Sequence, residues 1–203
     1  MIQLITVDAF TDRAFAGNPA AVCVLDGPRD DAWMHALARE MNLSETAYLL
    51  ARGDDWDLRW FTPAVEVSLC GHATLASAHA LWEAGRAPRH RPLRFHTKSG
   101  VLTATASEAG ALGSIELDFP TEPAVEAAVP DGLAAALGIS PRAIQWCGRN
   151  RLDVLVVLTD EAIVRALAPD FRALAAATHP DRGVIVTALC ASPEFDFVSR
   201  YFA

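Results

Sequence analysis

Between Leu69 and Gly85 the chain reads Leu-Cys-Gly-His-Ala-Thr-Leu-Ala-Ser-Ala-His-Ala-Leu-Trp-Glu-Ala-Gly. The spacing predicts a helix over 72–84, stopped by Gly85. A surface helix carries one polar face, and this one interrupts its small and apolar residues only with His79 and Glu83. A helix that is apolar all round is a buried one. Its Ala and Ser residues leave room for close neighbours on every side. The expectation is therefore a central helix wrapped by a curved sheet, with Ala76, Ala80 and Leu81 in the interior.

The flanking segments supply that sheet. Residues 2–7 and Ala20–Leu25 read as strands, separated by a turn at Gly17-Asn18-Pro19. Asp30-Asp31 opens a helix on which Trp33, Leu37 and Met41 share one face. A polar turn, Asn42–Glu45, leads to strands at Thr46–Leu50 and Leu58–Thr62. After the buried helix, strands at Leu93–Thr97, Val101–Ser107 and Ser114–Phe119 form an antiparallel meander around turns at Lys98-Ser-Gly and Ala109–Gly113. Pro120, Pro123 and Pro130 mark a linker over 120–130.

Residues 131–203 repeat the earlier order. Leu152–Leu158 is a strand, Asp160–Ala176 is helical with a break near Pro169, and Gly183–Leu189 and Phe195–Phe202 are strands. Strand, helix, strand, strand is also the order of Ala20–Thr62. Even the ends correspond, Leu58-Arg-Trp-Phe-Thr-Pro against Ser199-Arg-Tyr-Phe-Ala. In the first half the buried helix follows. The repeat predicts a second central helix beyond Ala203, so residues 131–203 are expected to be a partial half.

Composition narrows the chemistry. The chain has 203 residues, a formal net charge of −8 and 52% hydrophobic residues. That permits a sizeable core and disfavours nucleic acid as a partner. The first ten residues lack the features of a signal or transit peptide. No apolar run has the roughly 18 residues of a membrane span. A cytoplasmic location is expected by default. The four cysteines, Cys23, Cys70, Cys147 and Cys190, form no C-x-x-C pair, and reduced thiols are expected. His35, His79, His90, His96 and His179 show no metal-ligand spacing. Serine-hydrolase elbows, dinucleotide fingerprints and P-loops are absent from the sequence.

Three places can carry chemistry. The helix opening at Cys70-Gly71-His72 presents unpaired N–H groups and partial positive charge to a carboxylate. Alternatively, Gly71 only turns the chain and His72 only caps it. Glu45 sits between apolar Leu43, Ala47 and Tyr48, where partial desolvation raises a carboxyl pKa toward the working range of an acid/base. It can equally be a solvated turn residue. Asn18 lies in Gly-Asn-Pro, which is also a common turn.

Taken in series, Phe15-x-Gly-Asn-Pro-Ala-Ala-Val, Met41-Asn-Leu-Ser-Glu-Thr-Ala, Leu58-Arg-Trp-Phe-Thr-Pro and Glu66-Val-x-Leu-Cys-Gly-His-Ala-Thr-Leu-Ala-Ser-Ala-His resemble the PhzF-like phenazine-biosynthesis family over residues 1 to about 85. The resemblance implies a diaminopimelate-epimerase-like α+β fold. That fold has two pseudo-repeated halves, each a curved, mainly antiparallel sheet around a central helix. Residues 1–119, with helix 72–84, would be one such half. The resemblance also implies a cofactor-independent isomerase or epimerase acting on a small carboxylate substrate, with a homodimer as the candidate assembly. Glu45 would be the general acid/base, and Gly71, His72 and Asn18 would bind substrate. No metal or organic cofactor is required. Two alternatives stay open: a thiol-based amino-acid epimerase using Cys70, and a non-catalytic binding or scaffold protein that keeps the fold alone.

Overall fold

A computed structural model describes residues 2–107, 114–178 and 183–202. The chain divides into two compact units, Met1–Pro120 and Thr121–Ala203. The Ala109–Gly113 turn and His179 lie outside the described residues.

The first unit opens with strands β1 (Gln3–Ala9) and β2 (Asn18–Val24), helix α1 (Asp31–Met41), strands β3 (Glu45–Arg52), β4 (Asp55–Phe61) and β5 (Glu66–Val67), and helix α2 (Gly71–Glu83). Strands β6 (Leu93–Thr97), β7 (Gly100–Ala106) and β8 (Ile115–Asp118) complete it. The sheet runs β1-β2-β3-β4-β6-β7-β8, with β5 on β4. β2 pairs with β3 in parallel, as β4 does with β6; the other pairs are antiparallel.

Helix α2 packs against β1, β2, β3 and β8. β1 and β8 are the two ends of the strand order, so the sheet curls around the helix. This is the central helix anticipated from its lack of a polar face. Ala73, Ala76, Ala78 and Leu81 are fully buried, and Ala80 nearly so. The exposed exceptions are His79 and Glu83. Its two buried hydroxyls satisfy themselves within the helix: Thr74 Oγ1 donates to Cys70 O at 2.6 Å and Ser77 Oγ to Ala73 O at 2.7 Å. These two hydroxyls thus cost little in this interior, whereas the buried indole N–H groups of Trp60 and Trp82 find no partner among the described residues. Trp56, Leu58, Trp60, Phe95 and Leu102 supply the facing apolar surface.

α1 lies on the other face of the sheet. Asp30 caps it by accepting from Trp33 N at 2.8 Å. Met34 and Ala38 pack there with Cys23, Tyr48 and Phe61.

The second unit contains strand β9 (Val125–Glu126), helix α3 (Leu133–Ala136), strands β10 (Ile144–Arg149) and β11 (Asp153–Leu158), helices α4 (Glu161–Ala166) and α5 (Phe171–Ala177), and strands β12 (Gly183–Leu189) and β13 (Phe197–Phe202). Its sheet runs β13-β12-β11-β10-β9. The pairs β10/β11, β11/β12 and β12/β13 are antiparallel, parallel and antiparallel. That is the sequence of pairings in β1/β2, β2/β3 and β3/β4. The order noticed along the chain is therefore repeated in the sheet.

Local differences from the sequence reading appear, among them β5 and α3, which it does not contain. The stretch 120–130 is more than a linker, since Val125 and Glu126 pair with Arg149 and Gly148. The last strand begins at Phe197 rather than Phe195. β10 went unnoticed in the sequence. α3, α4 and α5 pack on the sheet face that carries Val154, Val156, Val184, Val186 and Phe202. The opposite face exposes Leu189, Phe197 and Tyr201. Among the described residues of this unit no helix corresponds to α2.

Candidate active site

Glu45 is placed by the way α1 stops. Asn42 caps the helix in the left-handed conformation, φ 51°, and its N–H bonds to Ala38 O. Leu43 and Ser44 then carry the chain to the start of β3. The parallel register with β2 sets Glu45 opposite Ala20, two residues beyond Asn18. The α2 N-terminus comes to the same rim through a second device. β4 and β5 form a hairpin, and Arg59 grips Glu66 with two hydrogen bonds of 2.7 and 2.8 Å. Lys98 adds a further ion pair to Glu66. These cations, Arg59 foremost, hold the Glu66 carboxyl below its ordinary range despite partial burial. The anchored strand delivers Cys70 to the helix mouth.

Glu45, Cys70 and His72 meet there. One ligand atom from each lies within 4.8 Å of the others. His72 Nε2 is 3.3 Å from Glu45 Oε2 and 3.3 Å from Ser44 Oγ. Cys70 Sγ is 3.4 Å from His72 Nδ1. A carboxylate can only accept, so the neutral imidazole carries its proton on Nε2 and donates it to Glu45. The Cys70 thiol then has both Nδ1 and the Glu45 carboxylate within reach as acceptors. Burial lowers the His72 pKa, against the opposing pull of Glu45. Burial first, and the Glu45 charge second, push the Cys70 thiol up to about 12. Both states agree with the neutral thiol and neutral ring that this chain of donors requires.

The helix mouth itself remains available. Cys70 makes no side-chain cap to α2, and the first turn contains no acidic residue. Its N–H groups therefore face the rim with partial positive charge. Gly71 keeps the approach low: a Cβ there would meet only the edge of the Phe119 ring, at 3.8 Å.

Asn18 occupies the same rim on the adjoining strand but forms no hydrogen bond to this cluster among the described residues. Its turn is fixed by Gly17, at φ +76°, where a Cβ would sit 2.3 Å from Ala9 O. Ser44 is the contact that sequence reasoning missed. Its only signal was adjacency to Glu45. The motifs set Glu45 with Gly71 and His72 in one site, but His and Cys spacing along the chain does not mark Glu45, Cys70 and His72 as three possible metal ligands.

The phenazine biosynthesis-like family model matches residues 7–203. The chain belongs to this family. An uncharacterized isomerase of Halalkalibacterium halodurans is 52% identical over 97% of this chain and 71% of its own length. The human phenazine biosynthesis-like domain-containing protein is 37% identical, over 100% of this chain and 75% of its own. The crystal structure of a PhzF-family protein from Enterococcus faecalis superposes with a TM-score of 0.83 at 42% identity, covering 98% of this chain and 72% of that one. The α+β fold of the PhzF family is thus the fold of this chain. Isomerase is its enzyme class, the class named for relatives in two genera. Among the described residues no helix is long and apolar enough to cross a membrane.

The thiols offer a direct check on the rim. Cys70 is 7% exposed, Cys147 is 5% exposed and Cys23 is fully buried, whereas Cys190 is partly exposed. Burial raises the pKa of the first three. Alkylation of the native protein at pH 8 is expected to mark Cys190 first and to spare the others until denaturant is added. Peptide mapping by mass spectrometry reads the order. Modification of Cys70 as fast as Cys190 would contradict the buried, protonated thiol.

Proposed function

We propose that the chain moves a proton at carbon on a small carboxylate substrate, with Glu45 as general acid/base and without a metal or organic cofactor. The observation that carries this reading is the position of the Glu45 carboxylate, held by His72 at the uncapped N-terminus of a buried helix. Carbon beside a carboxylate, or conjugated with one, is a poor acid. Charge that develops as its proton leaves needs donors already aimed at it. The N–H groups at Gly71 and His72 supply such donors for the substrate carboxylate. Glu45 removes the proton and returns it at another position, or on the other face, which gives an isomer. His72 orients the carboxylate oxygen and is neutral, so it does not lock Glu45 in an ion pair. Asn18 lines the substrate's approach on the adjoining strand.

The thiol reading is weaker on this geometry. A base at neutral pH needs a thiolate fraction, and the Cys70 thiol is held near 12. The test is incubation in deuterated water with a panel of small carboxylic acids. Deuterium is expected at an exchangeable carbon of one of them, read by mass spectrometry or proton resonance. Absence of exchange at carbon across substrates that bind would sink the proton-transfer reading.

A further inference from the structure

Sulfur, nitrogen and oxygen donors of three kinds converge at one buried point of the rim. We propose that Glu45, Cys70 and His72 form a binding site for one thiophilic divalent cation of the zinc class. The site stands on geometry and is independent of the proton-transfer reading.

The spacing fits. In a tetrahedral zinc site with bonds of about 2.0–2.3 Å, neighbouring ligand atoms stand roughly 3.3–3.8 Å apart. Here Cys70 Sγ and His72 Nδ1 are already 3.4 Å apart, and all three donors lie within 4.8 Å of one another. The Glu45 carboxylate, which also contacts the Cys70 thiol, turns from Nε2 toward the cation. Coordination through Nδ1 leaves Nε2–H directed at Ser44 Oγ, 3.3 Å away. A ligating histidine ordinarily has such a partner on its other nitrogen.

The donor set selects the cation. A thiolate with imidazole and one carboxylate suits zinc or cobalt, while magnesium and calcium prefer oxygen alone. Charge also balances. As the sulfur–metal bond forms, the thiol proton leaves to solvent. Thiolate, carboxylate and dication then sum to zero in a buried place where a lone charge is costly. Three protein ligands leave a fourth position open, as in exchangeable sites and unlike closed structural ones. A cation seated there engages the Glu45 carboxylate. If Glu45 is the acid/base, zinc inhibits turnover; that consequence, unlike the site itself, rests on the proposed function.

The experiment titrates chelator-treated 203-residue protein with cobalt(II), then displaces it with zinc. One equivalent of cobalt is expected to give a near-ultraviolet thiolate charge-transfer band and visible bands of tetrahedral intensity, and zinc is expected to abolish both. Cys70→Ser should lose the charge-transfer band, while Cys190→Ser keeps it. Ser44→Ala should weaken zinc roughly 10–100-fold, the usual effect of losing a partner to a ligating histidine. Circular dichroism checks the fold of each variant. Should Cys70→Ser fail to fold, Glu45→Gln decides: zinc binding at least about tenfold weaker supports the site, and unchanged binding overturns it. A wild-type protein without a charge-transfer band in excess cobalt, or a band that survives in folded Cys70→Ser, also overturns it. Proton exchange at carbon is measured separately, so the two readings can fail independently.

Discussion

Replacing Glu45 by Gln is expected to lower isomerisation by at least about 10²–10⁴-fold, the range that a positioned acid/base contributes. The amide keeps the shape of the carboxyl and can still accept from His72 Nε2, so the rim should retain its geometry. It cannot take a proton from carbon. The loss should therefore fall on turnover and leave substrate binding nearly unchanged, because the helix N-terminus proposed to hold the substrate carboxylate is untouched. Initial rates and deuterium incorporation measure the first, and calorimetry with a non-reacting carboxylate measures the second. Cys70→Ala should cost less. If the order is reversed, with Glu45→Gln near wild type and Cys70→Ala inactive, the thiol mechanism replaces this one.

The second large effect concerns the buried helix. Leu81 has no exposed surface and sits within the cluster that joins α2 to the curled sheet. Leu81→Ala removes three carbons from a place that strands enclose and that cannot easily collapse. The expected cost is about 2–5 kcal/mol. Against a total of about 5–15 kcal/mol for a domain, that is a substantial fraction of the stability. Urea unfolding should show it as a lower midpoint at unchanged slope. A change below about 1 kcal/mol would mean that α2 is not the centre of its unit.

Much of this architecture could be read from residues alone, for reasons that differ by element. α2 was legible because a helix without a polar face can only be buried. α1 was legible from its Asp30 cap and from Trp33, Leu37 and Met41, although the residues it buries most deeply are Met34 and Ala38. β10 was not. It reads Ile-Gln-Trp-Cys-Gly-Arg, and a glycine within a strand weakens the signal. The structure shows what compensates: the Trp146 ring lies over Gly148, 2.1 Å from where a Cβ would stand. Such same-face packing has no mark in periodicity. α3, at four residues, is too short for periodicity to register. At the rim, Glu45, Gly71 and His72 stood out through their motifs. The bond network around them did not. The contact of Ser44 with His72 depends on how a turn is folded, and the approach of Cys70 to Glu45 depends on strand register. Asn18 was singled out by the same motifs, yet its side chain stays outside the network.

The pairing of β2 with β3 and the course of α2 divide the first unit into two rims of unequal tolerance. β2, β3 and α2 all begin at the Glu45 rim and run away from it. The turn at Gly53-Asp54 and the loop from Ala84 to Pro92 therefore lie at the opposite end. At Gly53 and Gly85 a Cβ would meet nothing within 4 Å. Peptide tags, fluorophores or new chain termini placed at that far rim stay a full strand length from Glu45. The molecule thus offers an address for grafting where length can be added, while a residue inserted between Asn42 and Glu45 would disturb the turn that sets Ser44 and Glu45 beside His72.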